Sequence, residues 1–147
     1  MADLSGLLDR LIEQEVRFVV VGGFAAVAHG SPLMTMDVDI CCDMSRNNVR
    51  RIYQAVADLH PVHRMTPSRR PFDPQDIGSS ALRNLYLDTD WGQLDCIGEV
   101  TGVGDFEAVC YRSVQVEVRG GSCHLLSLEA LIEAKRAMGR PRDLETM

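Results

Sequence analysis

The chain reads as an α/β (α+β) protein, a mixed β-sheet flanked by helices. Three observations predict this. Continuous β-branched and apolar runs occur at Val16–Val21 and Asp37–Cys42, while helical apolar spacing recurs at 4–15, 46–59 and 127–138. The first run ends in Gly22-Gly23, and the second carries two aspartates, Asp37 and Asp39, around one apolar residue.

Residues 4–15 place apolar side chains at 4, 7, 8, 11 and 12, which predicts a helix capped by Asp3 or Ser5. Val16–Val21 is a strand buried on both faces. Gly22-Gly23 stops it, and 24–29 continue as a short helix ending at Gly30, with Ser31-Pro32 as a break. In Asp37–Cys42, Val38, Ile40 and Cys42 share one face of a strand and Asp37, Asp39 and Cys41 the other. Arg46–Leu59 is a helix with its stripe at 49, 52, 53, 56 and 59. From His60 to Ser80 no period is evident, and a long loop is expected.

Leu82–Leu87 and Gln93–Ile97 predict a hairpin turning over Asp88–Gly92. Asp105–Tyr111 reads as a short helix or an irregular turn, and Val114–Val118 alternates as a half-exposed strand. Gly120-Gly121 is a turn and Cys123–Leu126 a strand, followed by a helix that Ser127 caps and Pro141 follows. The helices are expected on one side of the sheet, with the last one packed near the two acids. Nothing divides the chain, so 1–147 is expected to form a single domain.

Composition bounds the function. The 147 residues are 46% hydrophobic, with a mean hydropathy of −0.05, as in an ordinary globular domain. No apolar run approaches the roughly 18 residues of a membrane span, so no membrane partner is expected. Met-Ala-Asp-Leu-Ser has no basic region, which argues against a secretory signal and for the cytoplasm. The five cysteines form no Cys-x-x-Cys pair, and small buried side chains are the expected role. A net charge of −6 opposes general affinity for nucleic acid, though not a local basic groove.

The chemistry lies in the order of the parts. With 13 Asp in 147 residues, about one Asp-x-Asp arises by composition alone, and a second one stands at Asp88-Thr89-Asp90. A strand that ends in Gly-Gly before a helix, however, lets backbone N–H groups approach a phosphate without a Cβ in the way. Two carboxylates at i and i+2 on the next strand face one side about 6.5–7 Å apart and repel unless a cation joins them. Oxygen ligands with open positions suit Mg²⁺ bound to substrate phosphates. A two-metal site needs a third acid; Asp95, within a strand, is favoured over Asp88 and Asp90, which flank a turn.

Val21-Gly22-Gly23, a gap of 13 residues, Asp37-Val38-Asp39-Ile40 and a later strand aspartate, Asp95, resemble the nucleotidyltransferase superfamily typified by DNA polymerase β. More narrowly, Gly22–Gly30 and Thr35–Ile40 resemble small bacterial nucleotidyltransferases related to AbiEii-type toxins. Ser127–Lys135, with Arg140 and Asp143, is similar to a helical Lys…Arg…Asp segment of that group. The likeness covers about 16–42, 93–98 and 127–143, and only its first block is specific. Where the group commonly carries an arginine, this chain has Met34.

The resemblance implies a nucleotidyltransferase-like sheet and a Mg²⁺- or Mn²⁺-dependent transfer of a nucleoside monophosphate from an NTP such as ATP, releasing pyrophosphate. Gly22 and Gly23 would hold the triphosphate, and Asp37, Asp39 and Asp95 would bind metal, Asp95 also accepting the acceptor's proton. Lys135 would be a phosphate-side cation; a snorkelling surface lysine is the other reading. Acceptors in such enzymes include tRNA, proteins and small molecules, and a toxin or antitoxin partner is implied. Arg64, Arg69 and Arg70 could form a basic lip that contacts the acceptor.

Rival readings fare differently. Gly-x-Gly-x-x-Gly fails, because Phe24 and Val27 occupy the second and third glycine positions, and Gly-Lys-Ser/Thr is missing. A catalytically idle module of the same fold, binding a partner protein, is the remaining alternative; the three acids oppose it and Met34 favours it.

Overall fold

A computed structural model describes residues 3–28, 37–66, 68–73, 83–118 and 120–139. Helix α1 (Leu4–Glu13) starts at Asp3, whose carboxylate accepts from the Gly6 N–H at 3.0 Å. Strand β1 (Phe18–Val21) is buried at every residue, as its unbroken apolar run predicts. Helix α2 (Gly22–Ala28) begins at the glycine pair itself, because Gly22 takes a φ of +68°. Strand β2 (Asp37–Cys42) has the predicted bounds. Helix α3 (Arg46–Val56) is capped by Ser45 and tightens into a 3₁₀ turn over Ala57–Leu59, which completes the predicted stripe.

In the expected loop from His60 to Ser80, residues 61–66 and 68–73 carry backbone pairing, while 67 and 74–80 lie outside the described residues. A short strand β3 (Val62–His63) comes first, and beyond it the Arg69 N–H donates to the Thr66 carbonyl. The His63 N–H then bonds to Arg70, and the Phe72 N–H to Pro61. Strands β4 (Asn84–Thr89) and β5 (Gly92–Ile97) form the predicted hairpin, but its turn is shorter than expected, since Thr89 pairs with Gly92. Two pieces too short for a periodic signal, β6 (Glu99–Val100) and β7 (Gly104–Asp105), pair with each other. Helix α4 (Phe106–Tyr111), strands β8 (Ser113–Val118) and β9 (Gly121–Leu126), and Ser127-capped helix α5 (Leu128–Met138) follow. Pro141, Arg140, Asp143 and Met34 lie outside the described residues.

The sheet is mixed, in the order β3-β4-β5-β2-β1-β9-β8. β1 runs antiparallel to β2 and parallel to β9, and β2 runs parallel to β5. One face carries Val20, Val38, Ile40, Leu85, Leu87, Leu94 and Cys96, each at most 1% exposed. It is closed by Leu7 and Leu11 of α1 and by Val49 and Ile52 of α3, two helices in mutual contact. Burial of these aliphatic side chains is the main stabilising term, at about 1.5–3 kcal/mol each.

The helices do not all lie on the one side that the sequence predicts. Val21 and Leu126 lie on the other face, the one that carries the acids, and they too need cover. Helix α5 supplies it with Leu131 and Ala134. Among the described residues, one polar side chain is buried with the core. Asn48, at 1% exposure, accepts from the Arg17 N–H and donates to the carbonyls of Arg17 and Asp43, tying α3 to the start of β1 and the end of β2. Of the five thiols, Cys41, Cys42, Cys96 and Cys123 are buried, Cys110 is exposed, and all are free.

Candidate active site

Strand register builds the site. Val21 of β1 sits opposite Asp39 of β2, Asp39 opposite Asp95 of β5, and Asp95 opposite Tyr86 of β4. Residues in register share a face, so one row of side chains crosses four strands with two carboxylates at its centre. Asp37, two residues before Asp39, joins them on that face. One carboxylate oxygen from each of Asp37, Asp39 and Asp95 lies within 4.8 Å of the others, and all three residues are half-buried.

The glycine turn closes one side of this cluster. Gly22 and Gly23 line a cavity of about 550 Å³ together with Asp39 and Asp95. A Cβ at Gly22 would run into the Asp39 carboxylate, so the turn fits that acid only because the side chain is missing. The far wall is apolar, from Ile97, Leu126 and Leu131, with Lys135 of α5 on the same rim.

Electrostatics show what the cluster lacks. The Asp39 carboxyl is pushed up to about 7, first by burial and then by the charges of Asp37 and Asp95, with Arg64 and Lys135 opposing. Burial also raises Asp95, while its hydrogen bond from Arg64 lowers it. Among the described residues, two cations, Arg64 and Lys135, act on Asp39 against the three clustered carboxylates. An all-oxygen set of three converging carboxylates therefore fits a hard divalent ion.

The acids considered second best have other roles. Asp88 shares the acid-bearing face but pairs with Arg69, and Asp90 pairs with His60 at 2.6 Å. Arg64 and Arg69 both pair with acids, of β5 and β4, Arg64 half-buried and Arg69 exposed like Arg70. The Arg64 contact was not evident from sequence. Its Nη2 donates to Asp95 Oδ1 at 2.5 Å, and its guanidinium lies 5.7 Å from the centre of the Tyr86 ring. An arginine in an aperiodic segment gives no local sign of which strand it will reach.

No family model and no curated protein matches the chain. Among solved structures, it resembles a protein of Thermotoga maritima described as a "putative nucleotidyltransferase (TM1012)". The TM-score is 0.60 at 21% identity, over 95% of this chain and 84% of that one. This likeness establishes the fold. Its mixed sheet flanked by helices is the architecture expected from the sequence. Among the described residues, no helix is long and apolar enough to cross a membrane.

Proposed function

We propose that the protein is a Mg²⁺-dependent nucleotidyltransferase, acting as one domain over 1–147. It moves a nucleoside monophosphate from an NTP to an acceptor hydroxyl and releases pyrophosphate. One observation carries this reading: Asp37, Asp39 and Asp95, from two paired strands, converge beside the Gly22-Gly23 turn. The likeness to the Thermotoga protein supports it.

Asp37, Asp39 and Asp95 would hold the metal. Bound Mg²⁺ or Mn²⁺ would neutralise triphosphate charge and favour ionisation of the attacking hydroxyl. The backbone N–H groups of Gly22 and Gly23 would bind phosphate oxygens, with no side chain to keep them apart. Lys135, on the cavity rim and near enough to Asp39 to lower its pKa, would face the same phosphates. Asp95, which burial makes more basic than an ordinary carboxylate despite its hydrogen bond from Arg64, would accept the hydroxyl proton. The apolar wall would exclude water from the transfer.

The acceptor is a tRNA, a protein or a small molecule, and the AbiEii-type resemblance supports a place in a toxin–antitoxin pair in the cytoplasm. Incubation with labelled ATP, GTP, CTP and UTP and a cell extract tests both. A labelled acceptor whose labelling needs Mg²⁺ is expected, and Asp37→Asn is expected to lower it on the order of 10²-fold or more. Without labelling, and without thermal stabilisation by Mg²⁺ plus a non-hydrolysable NTP, the idle binding module is the correct reading.

A further inference from the structure

We propose that Arg64 is a resident counter-ion for Asp95, which it leaves for the phosphates of the incoming nucleotide when metal occupies the acid cluster. This rests on the nucleotidyltransferase reading and adds to it a residue and an order of events.

The placement comes from the hairpin at 61–72. The Arg64 N–H bonds to the Tyr86 carbonyl at 2.8 Å, extending the β3–β4 pairing by one residue. Arg64 thereby joins the row of Asp39, Asp95 and Tyr86 at its outer end, and its side chain reaches back over the Tyr86 ring to Asp95. The backbone is pinned and the side chain is long, so the head can move while the stem stays on the ring.

The head is poorly satisfied where it lies. Nη2 reaches Asp95 and Nη1 only the Met65 sulfur at 3.7 Å, while Nε is buried with no hydrogen-bond partner among the described residues, 4.0 Å from an Asp88 oxygen. The other Asp88 oxygen is engaged by Arg69. A guanidinium offers five donors, and a carboxylate that gives it one bond leaves much of that capacity unused. Phosphate oxygens would use it better. The pair is only 24% and 15% exposed, so solvent screens it weakly.

A divalent ion and a guanidinium both within bonding distance of the Asp95 carboxylate repel each other, at an energy that scales inversely with their few-ångström separation. In the nucleotide-free protein, Arg64 therefore opposes metal at Asp95. Once a triphosphate sits at the glycine turn, its negative charge offers Arg64 a second place and removes the opposition. Metal at Asp95 is thereby made conditional on nucleotide.

Mn²⁺ binding to the intact protein, by calorimetry without nucleotide, tests this. Arg64→Met keeps an apolar stem on Tyr86 and removes the charge; its Mn²⁺ Kd is expected to fall about tenfold or more. Arg69→Met, the same charge change on the same hairpin but away from Asp95, is expected to stay within about threefold. In saturating Mn²⁺, the Kd of Arg64→Met for a non-hydrolysable NTP is expected to rise about tenfold. Tighter metal with weaker nucleotide is a split that a purely structural arginine would not produce. Arg64→Gln serves as a second neutral variant should Arg64→Met fail to fold.

If Arg64→Met binds Mn²⁺ no more tightly than wild type, or Arg69→Met gains as much, the counter-ion role is wrong. The metal-site reading then survives, provided Asp37→Asn abolishes Mn²⁺ binding. If neither wild type nor Arg64→Met binds Mn²⁺, both readings fall.

Discussion

Replacing Asp39 with asparagine separates what the acid cluster costs the fold from what it contributes to binding. In the metal-free protein the Asp39 carboxyl titrates near 7, against an ordinary value of 3.8. Between those values the native state keeps the proton while the unfolded chain has lost it. Stability from this group is thus greatest below its unfolded value and falls as pH rises, levelling off above about pH 7. That displacement corresponds to about 4 kcal/mol by pH 8. Partial exposure and side-chain relaxation reduce the expectation to about 2–4 kcal/mol. Asp95, also raised, by burial first, loses stability in the same direction.

Urea unfolding of the two proteins in excess chelator, from about pH 4 to about pH 8, measures the difference. Asp39→Asn should be the more stable at the upper end by about 2–4 kcal/mol, with the gap closing to within about 1 kcal/mol at the lower end. It should also lose the stabilisation that Mg²⁺ gives the wild type. A gap independent of pH, or a wild type more stable throughout, would show that Asp39 is not strained by burial and like charge, and would refute the reasoning.

Two further substitutions probe the supports of the site. Gly22→Ala puts a methyl group onto the Asp39 carboxylate at a φ of +68°; a loss of about 1–3 kcal/mol by thermal unfolding and weakened Mn²⁺ binding are expected. Asn48→Ala strips partners from the Arg17 N–H and the Arg17 and Asp43 carbonyls; chemical denaturation should show a loss of about 2–3 kcal/mol, with Mn²⁺ affinity within about twofold of wild type.

Much of this protein is legible from local pattern. The bounds of β2, the burial of β1 and the Ser127 cap follow from periodicities of 2 and 3.6 and from the chemistry of helix ends, which depend on near neighbours alone. The same period placed Asp37 and Asp39 on one face. Tertiary structure decided what lies across the sheet. Asp95 stands beside Asp39, while Asp88 and Asp90 are taken by Arg69 and His60, because strand register and ion pairing join residues far apart in sequence. Arg64 reaches Asp95 over 31 residues, and Asn48 bridges to Arg17 over the same separation, neither with any local signature. Sequence period fixes which way a side chain points from its own element; only the packed sheet fixes what it meets there.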